Sequence, residues 1–83
     1  MSLKYEIRPR KDRRGVDLIS EKLPYGALWY GEPNAVENAA RYAKFNAGSE
    51  AAVISILDES GVIVDTRNYM PAERQGANTL GRL

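Results

Sequence analysis

Residues 33–64 read PNAVENAARYAKFNAGSEAAVISILDESGVIV, and this stretch decides the fold of the 83-residue chain. Pro33 suits the first turn of a helix, where its missing N–H costs nothing. Asn34, followed by Glu37 at the third position after it, matches a capping box, and Gly48 is typical of the residue just after a helix ends. The stretch therefore predicts a single helix that begins near Pro33 and stops at Gly48.

This helix has two different faces. At about 100° per residue, one narrow stripe is nearly all alanine, which allows the helix to lie close to a sheet. The stripe consists of Val36, Ala39, Ala40, Ala43 and Ala47. Phe45 falls opposite the stripe, next to Tyr42. We expect the stripe to be buried and Phe45 to face outward, either as part of a contact patch or as a single exposed aromatic residue of the ordinary kind.

Strands flank the helix on both sides. Residues 51–57 are apolar, residues 58–61 have the composition of a hairpin turn, and the chain returns as a strand over residues 62–67. Before the helix, residues 3–10 alternate between apolar and polar, and residues 16–23 follow as a second strand; residues 28–30 are a short extended piece. The order predicts an α+β domain over residues 1–69, with an antiparallel four-stranded sheet (β-β-α-β-β) and one helix packed on one face. Residues 70–83 are polar and aperiodic, which predicts a flexible tail.

The second hairpin carries apolar side chains on both faces. Ile54, Ile56 and Ile63 are expected on one face, and one helix cannot cover the other face as well. A second copy of the chain is the simplest cover, which predicts a homodimer. The expected interface residues are Tyr42, Phe45, Val53, Leu57, Val62 and Val64.

The layout also resembles a known group of proteins. An alanine-rich helix closing on Gly48, an apolar strand, an Asp-x-x-Gly turn and a Val/Ile strand follow a basic first hairpin. In this the chain is similar, over residues 3–69, to short bacterial proteins grouped as a domain of unknown function with a hairpin–helix–hairpin fold. The resemblance implies a small bacterial protein without an assigned activity, and it carries over no catalytic residue.

Composition excludes several kinds of chemistry. The chain has no cysteine and no histidine, which removes disulfides, thiolate and imidazole metal ligands, and a histidine general base. Asp58, Glu59 and Asp65 are the only clustered carboxylates, but the first two belong to a turn, where acidic residues are favoured by geometry alone. Gly26 and Gly31 have the spacing of a phosphate loop, but Glu32 and Pro33 follow instead of lysine and a hydroxyl residue. We therefore predict a protein that is not an enzyme, without metal, cofactor or small-molecule substrate.

The positive charge is concentrated at the start of the chain. Twelve basic residues against eleven acidic ones give a formal charge of +1. The first hairpin holds Arg8, Arg10, Lys11, Arg13 and Arg14. Such a ribbon can contact phosphates in a nucleic acid, or it can be an exposed hairpin that charge keeps soluble and unpaired. Nucleic-acid binding is therefore the alternative function.

Two further features bear on partners and location. The aromatic residues Tyr25, Trp29 and Tyr30 are typical either of a stacking platform or of a cap on the open end of a small core. The chain has no apolar run of the length that a membrane span needs, and its start lacks the apolar region of a secretory signal. We expect no membrane partner and a cytoplasmic location.

Overall fold

A computed structural model describes residues 2–23 and 26–70, which form one helix and five strands. The strands are β1 (Leu3–Pro9), β2 (Val16–Ile19), β3 (Ala27–Tyr30), β4 (Ala52–Leu57) and β5 (Ile63–Tyr69), and the helix is α1 (Ala35–Ala47) between β3 and β4. The class is α+β, as predicted. Of the predicted tail, residues 71–83 lie outside the described residues.

The sheet has five strands and is mixed, so the predicted four-stranded antiparallel sheet is wrong in this detail. Its order is β3-β2-β1-β4-β5, and β1 pairs with β4 in parallel, with Leu3 opposite Ala52 and Ile7 opposite Ile56. The physical reason is β3, the short extended piece, which pairs antiparallel with β2 and therefore runs in the direction of β1. Because α1 then crosses back over the sheet, β4 enters it in that same direction.

The core lies between α1 and one face of the sheet. The buried side of α1 is formed only by alanines, Ala35, Ala39, Ala40, Ala43 and Ala47. They lie close to the sheet side chains Tyr5, Ile7, Leu18 and Ile54, which are fully buried. The predicted stripe is thus confirmed at four alanines, but Ala35 replaces Val36, which is only half-buried.

The two ends of α1 differ in how well they were predicted. Gly48 stops the helix at a φ of 64°, and its N–H donates to the carbonyl of Lys44, as expected of a terminal glycine. The capping box does not form. Asn34 makes no side-chain capping bond, and Glu37 instead reaches β5, where it accepts hydrogen bonds from Arg67.

The register of the second hairpin corrects the predicted faces. Leu57 lies opposite Ile63 and Ile56 opposite Asp65, with an irregularity between Ile56 and Leu57. Ile63 therefore does not join Ile54 and Ile56 on the core face; it is exposed. Asp65, Arg67 and Tyr69 stand opposite the buried residues of β4, because directly opposed residues point to the same side of a sheet.

Both hairpin loops lie at the same end of the sheet. In the first, Gly15 has a φ of 101°, and a Cβ added there would stand 2.0 Å from the carbonyl oxygen of Tyr30. In the second, Asp58 accepts from the amides of Ser60 and Val62, which confirms the predicted turn. The first loop is thus held against the end of β3, and the second is closed by its own aspartate.

Candidate interaction surfaces

The basic hairpin is largely paired with carboxylates. Arg8 contacts Glu6 at 2.8 Å on the same strand. Arg10 lies 3.3 Å from Asp12 and 3.0 Å from Asp17. Arg13 extends to Glu59, in the turn of the other hairpin, at 3.7 Å. Three of the five predicted contacts for nucleic acid therefore already face negative charge.

The pKa values of this hairpin follow from the same contacts. The amide of Arg14 donates to the Asp12 carboxylate and, with Arg10, holds the pKa of Asp12 below its usual value. The two carboxylates of Asp12 and Asp17 raise the pKa of Arg10. Among the described residues, Lys11 and Arg14 have no carboxylate within salt-bridge distance. Within the described structure, Lys11 and Arg14 are thus the cations of the hairpin that form no salt bridge.

Trp29 packs against the first hairpin. Its indole lies 5.8 Å from the Arg10 guanidinium carbon, and its Nε1–H donates to the carbonyl of Arg14 at 2.6 Å. The side chain is nevertheless 59% exposed, whereas Tyr30 is half-buried against the core. Of the three aromatic residues considered from sequence, Tyr30 caps the core, Trp29 is a surface residue, and Tyr25 lies outside the described residues.

A shallow cleft of about 520 Å³ separates the two hairpin loops. Its lining combines Arg8, Arg10 and Lys11 with Asp58 and Glu59, so that both signs of charge face it. The Asp58 carboxylate accepts hydrogen bonds from the Ser60 hydroxyl and the Val62 amide, and these bonds lower the pKa of Asp58. Asp58 therefore acts as a turn residue here. In the described part of the chain, no group of three acidic residues is arranged to hold a metal ion.

The outer side of α1 carries an aromatic pair. The rings of Tyr42 and Phe45 lie 5.9 Å apart at 46°. Phe45 is 79% exposed, which confirms the outward direction predicted from the helical period. Tyr30, Asn38 and Arg41 surround the pair.

The structure does not bring the predicted interface residues together. Tyr42 and Phe45 lie on the helix, while Val53 is half-buried on the opposite face of the sheet. Leu57 is only 7% exposed, so its place in a surface patch is corrected: it is buried within the chain. Val62 and Val64 are exposed and lie at a third location, the start of β5.

β5 is the least covered part of the described fold. It is an edge strand, and no described residue pairs with its outer side. Val62, Ile63 and Val64 are consecutive and each more than half exposed, at 56%, 56% and 61%. Sequence reasoning missed Ile63 here, because only the hairpin register shows that it leaves the core face.

Besides its ladder with β4, β5 has two side-chain contacts with the rest of the chain. Arg67 binds Glu37 of α1 through two hydrogen bonds of 2.8 Å, and the Tyr69 hydroxyl donates to the carbonyl of Gly48 at 2.8 Å. The hydrogen bonds between the two side chains lower the pKa of Glu37 and raise the pKa of Arg67. The strand is therefore anchored on its inner side, while its outer backbone edge is paired with none of the strands that the structure describes.

Comparison with family models, curated proteins and solved structures gave no match to this chain. The resemblance to the hairpin–helix–hairpin proteins therefore stays a prediction. Within residues 2–23 and 26–70, the helix is too short and too polar to cross a membrane.

Proposed function

We propose that this protein is a non-enzymatic interaction module that works as a homodimer. The observation that carries the proposal is the run Val62–Ile63–Val64, exposed at the start of an edge strand. Natural proteins usually protect such an edge with proline, lysine or a covering element, because an open edge pairs with other chains. Within β5 neither proline nor lysine occurs, and its protective features are the irregularity at its start and the inward charges of Asp65 and Arg67. An edge of this kind is suited to pairing with another strand.

The arrangement of α1 supports a partner at the same place. The helix packs against β1, β2, β3 and β4, and it reaches β5 mainly through the ion pair with Arg67. The apolar residues at the start of β5 consequently lie beyond the layer that buries the core. Covering three β-branched side chains from each of two copies removes apolar surface from water, which is the main favourable contribution to association.

Sedimentation velocity over a range of micromolar concentrations tests the proposal. We expect a dimer that dissociates on dilution, and a monomer at every concentration would overturn it. The double variant Val62→Thr, Val64→Thr keeps the β-branched shape but removes apolar surface. We expect it to raise the dimer Kd by about tenfold or more. An unchanged Kd would show that these side chains do not contribute to the interface.

The second candidate function is nucleic-acid binding by the first hairpin. One arrangement favours it: Trp29 is an exposed aromatic side chain on the Arg10 guanidinium and the Arg14 backbone, in a hairpin whose Lys11 and Arg14 have no carboxylate partner among the described residues. Stacking on an aromatic ring next to phosphate-binding cations is how many proteins hold single strands. The carboxylates at Arg8, Arg10 and Arg13 reduce the field of the hairpin, so we rank this function second.

Titration of labelled single-stranded and duplex oligonucleotides at low and high salt tests this candidate. We expect binding that weakens steeply with salt and is lost in Lys11→Ala, Arg14→Ala. Lys44→Ala is the matched control, since Lys44 is an exposed cation on α1. Absent binding at low salt, or an equal effect of the control, would exclude the hairpin as the contact. Cytoplasmic location and bacterial origin stay predictions.

A further inference from the structure

We infer that β5 pairs with β5 of a second copy, antiparallel and with the twofold axis at Thr66, so that two five-stranded sheets become one. The inference rests on the proposed homodimer and assigns its interface and register. It depends on three features of β5: the direction of its backbone groups, the order of its charges and the position of its apolar residues.

The backbone of Thr66 points away from β4. The Leu3 N–H donates to the Ala51 carbonyl at 2.9 Å, so Ala51, Val53 and Ser55 direct their backbone groups toward β1. Thr66 is opposite Ser55, and its own groups therefore face the open edge. An independent contact agrees: the Thr66 N–H donates to the Asp65 carboxylate at 2.9 Å rather than to β4.

The charges of β5 select the register. Asn68 lies opposite Val53 and also turns its backbone outward. Residues with outward backbone groups therefore alternate along β5, and the partner strand can slide along it only by two residues at a time. An axis at Thr66 places Asp65 opposite the partner's Arg67. The neighbouring registers, with the axis at Asp65 or at Arg67, place two like charges directly opposite each other, which destabilises a strand pair. The sequence of β5 is thus self-complementary in one register.

The apolar residues fit the same register. On the face away from α1, Val64 falls opposite the partner's Asn68, and Val62 lies beside the partner's Met70. Met70 is 39% exposed in the single chain. The exposed run at the start of one β5 therefore lies beside Asn68 and Met70 of the other, at both ends of the shared ladder.

Pairing also changes the role of Asp65. In the single chain this carboxylate accepts a hydrogen bond from the outward N–H of Thr66 and contacts Arg67 of its own strand at 3.3 Å. When the Thr66 N–H donates to the partner's Thr66 carbonyl, Asp65 is released toward the partner's Arg67. The pairing does not require Arg67 to give up the two hydrogen bonds to Glu37 that it makes in the single chain.

The first test is Thr66→Pro in the full chain, followed by sedimentation velocity and circular dichroism. Proline removes only an outward N–H, and proline is tolerated in edge strands whose N–H faces solvent. We expect a folded monomer. Phe45→Ser is the matched control at an exposed site and is expected to leave the dimer intact. A dimer that survives Thr66→Pro but is lost in Phe45→Ser would move the interface to the helix and overturn the inference.

The second test fixes the register through cross-linking. The chain contains no cysteine, so Thr66→Cys introduces a single thiol per copy. Directly opposed residues that exchange hydrogen bonds have Cα atoms about 5.5 Å apart, within the range of a disulfide. Mild oxidation of Thr66→Cys should give a covalent dimer. In Asn68→Cys the two thiols would be four residues of strand apart, about 14 Å, and no cross-link is expected.

The outcomes separate the inference from the proposed function. A wild-type monomer overturns both. A wild-type dimer in which Thr66→Cys fails to cross-link, or in which Asn68→Cys cross-links equally well, overturns the register and leaves the homodimer standing. Selective cross-linking of Thr66→Cys together with a monomeric Thr66→Pro supports the inference.

Discussion

Replacing Gly15 by alanine should destabilise the fold more than the same change at Gly61. Both glycines have a positive φ, 101° and 88°, so alanine is strained at either position by about 1–3 kcal/mol. The surroundings differ. A Cβ at Gly15 would stand 2.0 Å from the Tyr30 carbonyl oxygen and 2.8 Å from the Gly31 Cα, whereas a Cβ at Gly61 meets nothing within 4 Å. Because backbone cannot move aside as a flexible side chain can, the overlap adds about 1–3 kcal/mol at Gly15 alone.

The assay is urea unfolding followed by circular dichroism, with the wild type, Gly15→Ala and Gly61→Ala at one protein concentration. A fixed concentration matters since self-association adds to apparent stability. We expect the free energy of unfolding to fall by about 2–6 kcal/mol in Gly15→Ala and by about 1–3 kcal/mol in Gly61→Ala. Equal losses in the two variants would refute the close approach of the first hairpin to the end of β3.

Two further predictions concern the core and its link to β5. Ile54→Ala should lower the free energy of unfolding by about 2–5 kcal/mol, because Ile54 is fully buried. Phe45→Ala should change it by less than about 0.5 kcal/mol, because Phe45 is exposed. Urea unfolding compares the two variants, and similar losses would contradict the assignment of the core. Arg67 holds the pKa of Glu37 below its ordinary value of 4.5, so this pair stabilises the fold above that pH, and the contribution is lost as pH falls through the lowered pKa. In thermal unfolding between neutral pH and pH 3, Glu37→Gln should show a shallower decline of the midpoint than the wild type, and parallel curves would contradict the pair.

Local features of the fold were predictable from sequence because each has a local physical cause. The alternation of residues 3–10 marks β1, the alanine stripe marks the buried side of α1, and Gly48 ends it. The exposure of Phe45 follows from the helical period. In each case a few neighbouring residues suffice to decide the structure.

The sheet topology depends on a relation between distant segments, and there the sequence prediction failed. β3 has four residues, Ala27–Tyr30, too few for a clear alternation, so its membership in the sheet was missed. For the same reason, the crossover through α1 and the parallel pairing of β1 with β4 were not predicted. An extended piece directly before a helix, followed by an apolar strand, is the pattern of a βαβ unit, and this was the available signal.

The candidate surfaces were predicted unevenly for the same reason. The basic hairpin is visible in the sequence, but the pairing of Arg10 with Asp17 depends on the hairpin register. The exposure of Val62 and Val64 was predicted, while the burial of Leu57 and the exposure of Ile63 depend on the irregularity in β4 and β5. The outward N–H of Thr66 could not be found from the sequence, since it follows from the register of β4 on both of its sides.

The central position of β1 has a consequence for how the chain folds. β1 precedes the other described strands along the chain, and its parallel neighbour β4 follows only after β2, β3 and α1, so that Leu3 can pair with Ala52 only late in synthesis. Pairing between segments so far apart in the chain requires a long loop to close first, and such contacts slow folding. Until β4 pairs with it, one edge of β1 stays open on the nascent chain. The rate of folding should therefore depend on β4 docking more than on the first hairpin, and a chain interrupted before residue 52 would be prone to aggregate.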